Sequence, residues 1–148
     1  MVRPVFAIQR VRIVLAVAVA SELATTAMYL ALVAYQGSTG AGSAPLIVGA
    51  VLGVGAACGV CGLLARPSSR GLVLNGVPAG VFCVMGGVGW LSVGLAFMIA
   101  GVMAGVGTLM LARELRSDLS RPSQTALLAM GASAALTILV AVVGLFLA

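Results

Sequence analysis

The chain has 148 residues, 62% of them hydrophobic and only 7% charged, with a mean hydropathy of +1.25. Soluble domains carry about a quarter of their residues charged, and a water-facing surface could not absorb this much apolar area, so a soluble globular protein is excluded and a polytopic membrane protein is indicated. The net charge of +5 comes from eight Arg, no Lys and three acids; the arginines flank apolar stretches, as topology signals do, which excludes a nucleic-acid-binding face.

Crossing a hydrocarbon core of ~30 Å takes about 20 apolar residues in a helix. Ile13–Tyr35 predicts the first span, interrupted only by Glu22. Its start resembles a secretory signal with Ala18-Val19-Ala20 ahead of Ser21, but the apolar run continues well past that point, so an uncleaved signal-anchor helix is expected. Gln36–Ser43 is a Gly/Ser loop; Pro45 opens a second span to Ala65, closed by Arg66-Pro-Ser-Ser-Arg70. Gly71–Ala112 is 42 residues without a charge, and one straight helix of that length would reach roughly 63 Å, about twice the bilayer core. Two helices folded at Gly86-Gly-Val-Gly89 fit: a short Leu72–Met85 carrying Asn75 and Pro78, and Trp90–Ala112. A re-entrant or kinked third segment is the alternative. Pro122 then starts the last span, Ser123–Leu147.

Charge bias chooses between four spans and five. With five, and the N-terminus inside, Arg3/Arg10/Arg12, Arg66/Arg70 and Arg113/Arg116/Arg121 all face the cytoplasm and both uncharged loops lie outside. With four, the last cluster falls outside, against the positive-inside rule. The expected architecture is therefore all-α: one domain, a bundle of five transmembrane helices in the plasma (inner) membrane, with a cytoplasmic N-terminus and an external C-terminus. Arg without Lys, beside abundant Ala, Gly and Val, fits a GC-rich bacterial genome. The arginine clusters would meet anionic lipid headgroups; for the mixed-charge segment Arg113–Arg121 a docking handle is the alternative.

Gly49-Ala-Val-Leu-Gly53-Val54-Gly55 parallels Gly101-Val-Met-Ala-Gly105-Val106-Gly107, and Arg66-Pro67-Ser68 parallels Arg121-Pro122-Ser123; Leu72, Gly76, Ala79 and Gly89 then align with Leu127, Gly131, Ala134 and Gly144. Either this is a parallel duplication of two helical hairpins, a common transporter plan, or two Gly/Ala/Val-rich segments matching by chance. The pairs Gly49/Gly53, Gly55/Gly59, Gly76/Gly80 and Gly101/Gly105 have the GxxxG spacing that lets helix backbones approach in lipid. Packing within the bundle is expected; a docking or homo-oligomer surface is the other use.

Glu22 is the costly residue. An acid at mid-membrane depth costs about 2.5–3.5 kcal/mol to insert and is a functional candidate by default. Thr25, Thr26 and Tyr29 share its stripe at i+3, i+4 and i+7, and Ser133 and Thr137 offer hydroxyls at matching depth in the last span. Arg12 lies about 15 Å away along the axis, too far to pair. An acid without a cationic partner is a candidate proton acceptor; alternatively it is a protonated, hydrogen-bonded group, or the partner of another subunit's Arg. Ser21-Glu22 followed by Thr25-Thr26-Ala27-Met28 resembles the first helix of the small multidrug resistance transporters. That resemblance implies a dimeric exporter of four helices per chain with Glu22 as its membrane-embedded acid, whereas this chain is longer and predicts five.

Other chemistry is weakly signalled. There is no His and there are three Cys, too few donors for a tetrahedral zinc site, so no metal and no cofactor are expected. Cys58-Gly-Val-Cys61 has redox spacing but lies inside an apolar helix, where free Cys packs as a small hydrophobe. With no hydrolase triad or phosphate loop, catalysis is not expected. Two functions remain: an accessory subunit of a larger respiratory or transport assembly, placed slightly ahead because polar residues for a pathway are few, and a small homo-oligomeric transporter with proton coupling at Glu22.

Overall fold

The computed structural model describes residues 5–36, 44–88, 94–117 and 120–147. They form five helices: α1 (Val5–Gln36), α2 (Ala44–Leu64), α3 (Ser69–Val88), α4 (Gly94–Glu114) and α5 (Pro122–Leu147), with one 3-10 turn at Leu115–Ser117. Each is long and apolar enough to cross a bilayer, so the five-span, all-α expectation holds. The helix starts follow ordinary end chemistry. Ser68 caps α3: the Gly71 N–H donates to its Oγ at 3.3 Å and the Leu72 N–H to its carbonyl at 3.0 Å. Pro122 opens α5 where a missing N–H costs nothing, and the Arg121 carbonyl accepts from Thr125 N–H at 3.1 Å.

The third span differs from the expectation. It is not a short Leu72–Met85 segment but a continuous 20-residue helix, about 30 Å long and able to cross by itself. It runs through Gly86 and Gly87, which read as a turn by the rules of soluble chains. In a bundle surrounded by lipid the freed backbone groups would have no water to bond, so the helix continues, and Gly86 packs against Met98 and Gly94 of α4. The fourth helix begins at Gly94; Trp90 and Gly89 lie outside the described residues, as does the loop 37–43. α1 extends back to Val5, so Arg10 and Arg12 are helical.

α3 is the centre of the bundle, packing most extensively on α4 and α5 and then on α2; α1 packs on α4 and, less, on α2. Apolar residues stack in three layers. Val11, Leu15, Leu72, Leu111, Leu115 and Ala126 form one at the arginine-bearing end. Leu52, Ala56, Phe82, Met85 and Phe97 form another at the far end. Between them is a thin alanine layer, Ala18, Ala79 and Ala104. Outward, Leu23, Leu30, Val54, Leu95, Ile99, Leu128, Leu136 and Leu139 are exposed, which in a bilayer means lipid contact.

The glycines explain how close the helices come. A Cβ at Gly49 would meet Leu30 of α1, and at Gly55 Val81 and Phe82 of α3, at 3.1–3.2 Å. At Gly76 it would meet Ala129 at 3.0 Å, and at Gly80 it would overlap Ser133 and the Met130 carbonyl of α5. At Gly101 a Cβ would run into the Cys83 backbone of α3 at 2.6 Å, at Gly105 it would lie 3.7 Å from Ala79, and at Gly53 it would meet open space. The sequence parallel between halves is not expressed as two equal hairpins. Gly49 faces α1 whereas its counterpart Gly101 faces α3, and α5 leans on α3 rather than on α4.

Candidate functional site

α1 turns Val11, Leu15, Ala18, Glu22 and Thr26 inward, a spacing of three and four that draws one stripe along a helix. Glu22 falls at the midpoint of the Gln9–Tyr35 span and is 1% exposed. Its carboxyl lies against α2 at Gly59, where a Cβ would overlap Oε2 and stand 3.3 Å from Cδ and from Val19 Cγ2. Glycine at position 59 is thus what leaves room for the acid. Among the described residues neither carboxyl oxygen has a hydrogen-bond partner, and the Thr26 hydroxyl, one turn on and also buried, has none either. Buried polar groups are normally paired, so this cluster is the polar anomaly of the bundle.

The other residues grouped with Glu22 by sequence separate here. Thr25 donates to its own helix, with carbonyls of Ser21 at 2.8 Å and Glu22 at 3.1 Å. The Tyr29 hydroxyl donates to the Pro45 carbonyl at 3.2 Å, and its ring lies 6.2 Å from Phe97, itself 6.0 Å from Phe82. Ser133 and Thr137 do not join the site. Their hydroxyls bond to Met130 O at 2.9 Å and Ser133 O at 2.8 Å, on a helix seated on α3 that makes no extensive packing with α1 among the described residues. The helix order around the bundle sets the facing, and it puts α3 between α1 and α5.

Two polar residues of consequence were not grouped with Glu22 by sequence. Asn75 of α3 is 2% exposed; its Nδ2 donates to Gly71 O at 2.8 Å, and its carboxamide lies against α2 at Gly62, where a Cβ would come within 2.7 Å. Thr108 of α4 is fully buried, with its hydroxyl 2.8 Å from both the Asn75 and Ala104 carbonyls. Pro78, one turn on, lacks the N–H that Leu74 O would otherwise accept. Gly59 and Gly62 sit three residues apart on one α2 face, where neighbouring Cβ positions are about 5–6 Å apart. They bring the carboxyl of α1 and the carboxamide of α3 to adjacent turns.

The cysteines are free thiols, Cys58 half-buried and Cys61 and Cys83 exposed, and among the described residues no group of three His, Cys, Asp or Glu is placed to hold a metal ion. Compared with known protein families, with curated proteins and with solved structures, the chain matches none. The resemblance of residues 21–28 to the small multidrug resistance transporters is therefore local, on a bundle of five spans rather than four.

Proposed function

We propose that this multi-pass membrane protein is a small proton-coupled transporter in which Glu22 takes up and releases the coupling proton, and that it catalyses no covalent reaction. One observation carries this reading: the mid-membrane carboxyl is enclosed within its own bundle, at Gly59, with neither oxygen partnered among the described residues. Had Glu22 served to bind a neighbouring subunit, it would be turned toward lipid. A bare carboxylate is not sustainable in such a setting, so a proton or a cation must accompany it. Proton and cationic solute then compete for one acid, which is the elementary requirement for exchange.

The seam that holds the acid is suited to opening. α1 packs less extensively on α2 than on α4, and the α2 side of the contact is glycine, so few side chains need repacking to expose Glu22. By the positive-inside rule the arginine-bearing end would face the cytoplasm. The test is proton flux in proteoliposomes driven by a cation gradient, comparing wild type with Glu22→Gln. Flux in the wild type and its loss in a folded Glu22→Gln protein support the reading; no wild-type flux across a panel of inorganic and organic cations defeats it.

The accessory-subunit reading keeps one specific support: α5 is seated on α3 along one side while Leu127, Leu128, Leu136, Ile138, Leu139, Val142 and Val143 all point away from the bundle, a continuous face for another subunit or a second copy. Pull-down in mild detergent with native sizing separates the two. A stoichiometric set of other membrane proteins supports the accessory role, and a lone chain or homo-oligomer refutes it.

A further inference from the structure

The geometry points to a one-sided route for the proton: Glu22 exchanges with water at the arginine-bearing end, through a small cavity and the Asn75 carboxamide, while among the described residues packed rings close the other direction. The inference rests on the reading of Glu22 as the working acid and adds the side from which that acid is loaded.

A cavity of about 30 Å³ opens at that end, with Arg12, Arg66 and Glu114 among its lining together with Leu15, Gly62 and Gly71. A water needs roughly 10–15 Å³ of such space and two or more polar partners, so the cavity has room for a pair of waters beside three charged side chains. Asn75 lies just behind that lining: its carboxamide packs against Gly62 and donates to Gly71 O. From Gly62 to Gly59, where Glu22 lies, is one turn of α2, about 4.5 Å along the axis. A carboxamide both donates and accepts, so it can hold a water chain to the acid across that interval.

In the other direction the stripe carries the Thr26 and Tyr29 hydroxyls and then meets packed rings. Beyond Thr26 come Tyr29, hydrogen-bonded to Pro45 O, and the tilted ring pairs Tyr29–Phe97 and Phe97–Phe82, backed by Leu52 and Met85. Few groups compete for the proton. On α1 the other titratable group near the acid is Tyr29, and on α2 they are Cys58, adjacent to Gly59, and Cys61 one turn further on. The stretch 94–112 of α4 has none, and Cys83 of α3 faces Gly101. Arg12, Arg66 and Glu114 stand at the cavity.

The test uses the full chain in oriented membrane vesicles, whose arginine-bearing face is identified by labelling Ser69→Cys with a membrane-impermeant maleimide. Dicyclohexylcarbodiimide adds to a protonated carboxylic acid: the acid proton goes to a carbodiimide nitrogen, the carboxyl oxygen bonds to the central carbon, and an acyl shift leaves a stable N-acylurea. The adduct on Glu22 is counted by mass spectrometry, with Glu22→Gln as the blank. Acidifying the arginine-side buffer should raise labelling, and acidifying the opposite buffer should not. Asn75→Leu should slow the response by about tenfold, the equivalent of one lost hydrogen bond, while Tyr29→Phe leaves its sidedness unchanged. Labelling that follows the opposite buffer, or both equally, overturns the route and leaves the role of Glu22 standing. Labelling indifferent to both buffers overturns the two together.

Discussion

Replacing Gly59 by Ala probes the contact on which the site depends. In an open helix the change gains up to about 1 kcal/mol from helix propensity. Here the new methyl overlaps Glu22 Oε2 and lies 3.3 Å from Val19 Cγ2, and overpacking of this kind costs about 1–3 kcal/mol. The net expectation is a loss of about 1–2 kcal/mol. In a Glu22→Ala background the overlap is gone and only the Val19 contact remains, so Gly59→Ala should be neutral or stabilising by up to about 1 kcal/mol. The coupling between the two sites is then about 2 kcal/mol, within the range found for residues in contact. Reversible unfolding of the four proteins in one mixed-micelle system measures it. Equal effects of Gly59→Ala in both backgrounds, with coupling under about 0.5 kcal/mol, would refute the placement of the acid against α2.

Glycine positions should divide sharply: Gly80→Ala, driven into Ser133 and the Met130 carbonyl, destabilises by about 2 kcal/mol or more as α3 and α5 are pushed apart, whereas Gly53→Ala and Gly131→Ala, which meet nothing within 4 Å, leave the unfolding midpoint unchanged or raised. Thr108→Val removes the hydroxyl that links α4 to the Asn75 carbonyl and should cost about 0.6–1.7 kcal/mol, the scale of interhelical hydrogen bonds in membranes; no change would assign the hydroxyl wholly to Ala104 O. Single cysteines at Ser69 and Ser120 should react with an impermeant maleimide from one side of the membrane and a cysteine at Val88 from the other, as expected of a helix long enough to cross; the same side for Ser69 and Val88 would make α3 a re-entrant segment.

The fold was readable because lipid imposes a length: apolar runs of fixed extent separated by arginines leave few choices, and α2 and α5 end within a residue or so of where composition places them. The third helix was read too short because Gly86 and Gly87 break helices in water, where their backbone groups can be hydrated, and not inside a membrane bundle. Glu22 stood out as an acid in an apolar run, but nothing local says which helix it faces. Gly59 was visible as part of a GxxxG pair, a spacing that predicts close approach without naming what approaches. Ser133 and Thr137 were matched by depth along the membrane normal, and the angle around the bundle is a tertiary property. Asn75 and Pro78 registered only as irregularities of a short segment. Thr108 gave no signal, because one threonine in an apolar helix is ordinary.

The central position of α3 has a consequence for how the chain is made. It is the least apolar of the five spans, carrying Asn75 and Pro78, and the most enclosed, so its environment in the finished protein is other helices more than lipid. Its link to α2 is only a few residues long, ending in the Ser68 cap, so the two must enter the membrane as a pair. Released into lipid alone, that pair would expose the Gly76/Gly80 face that α5 later covers and the Asn75 carbonyl that Thr108 of α4 later reaches. A ribosome stalled after α3 should therefore hold a hairpin that stays beside the insertion machinery, and one stalled after α5 a bundle that has left it.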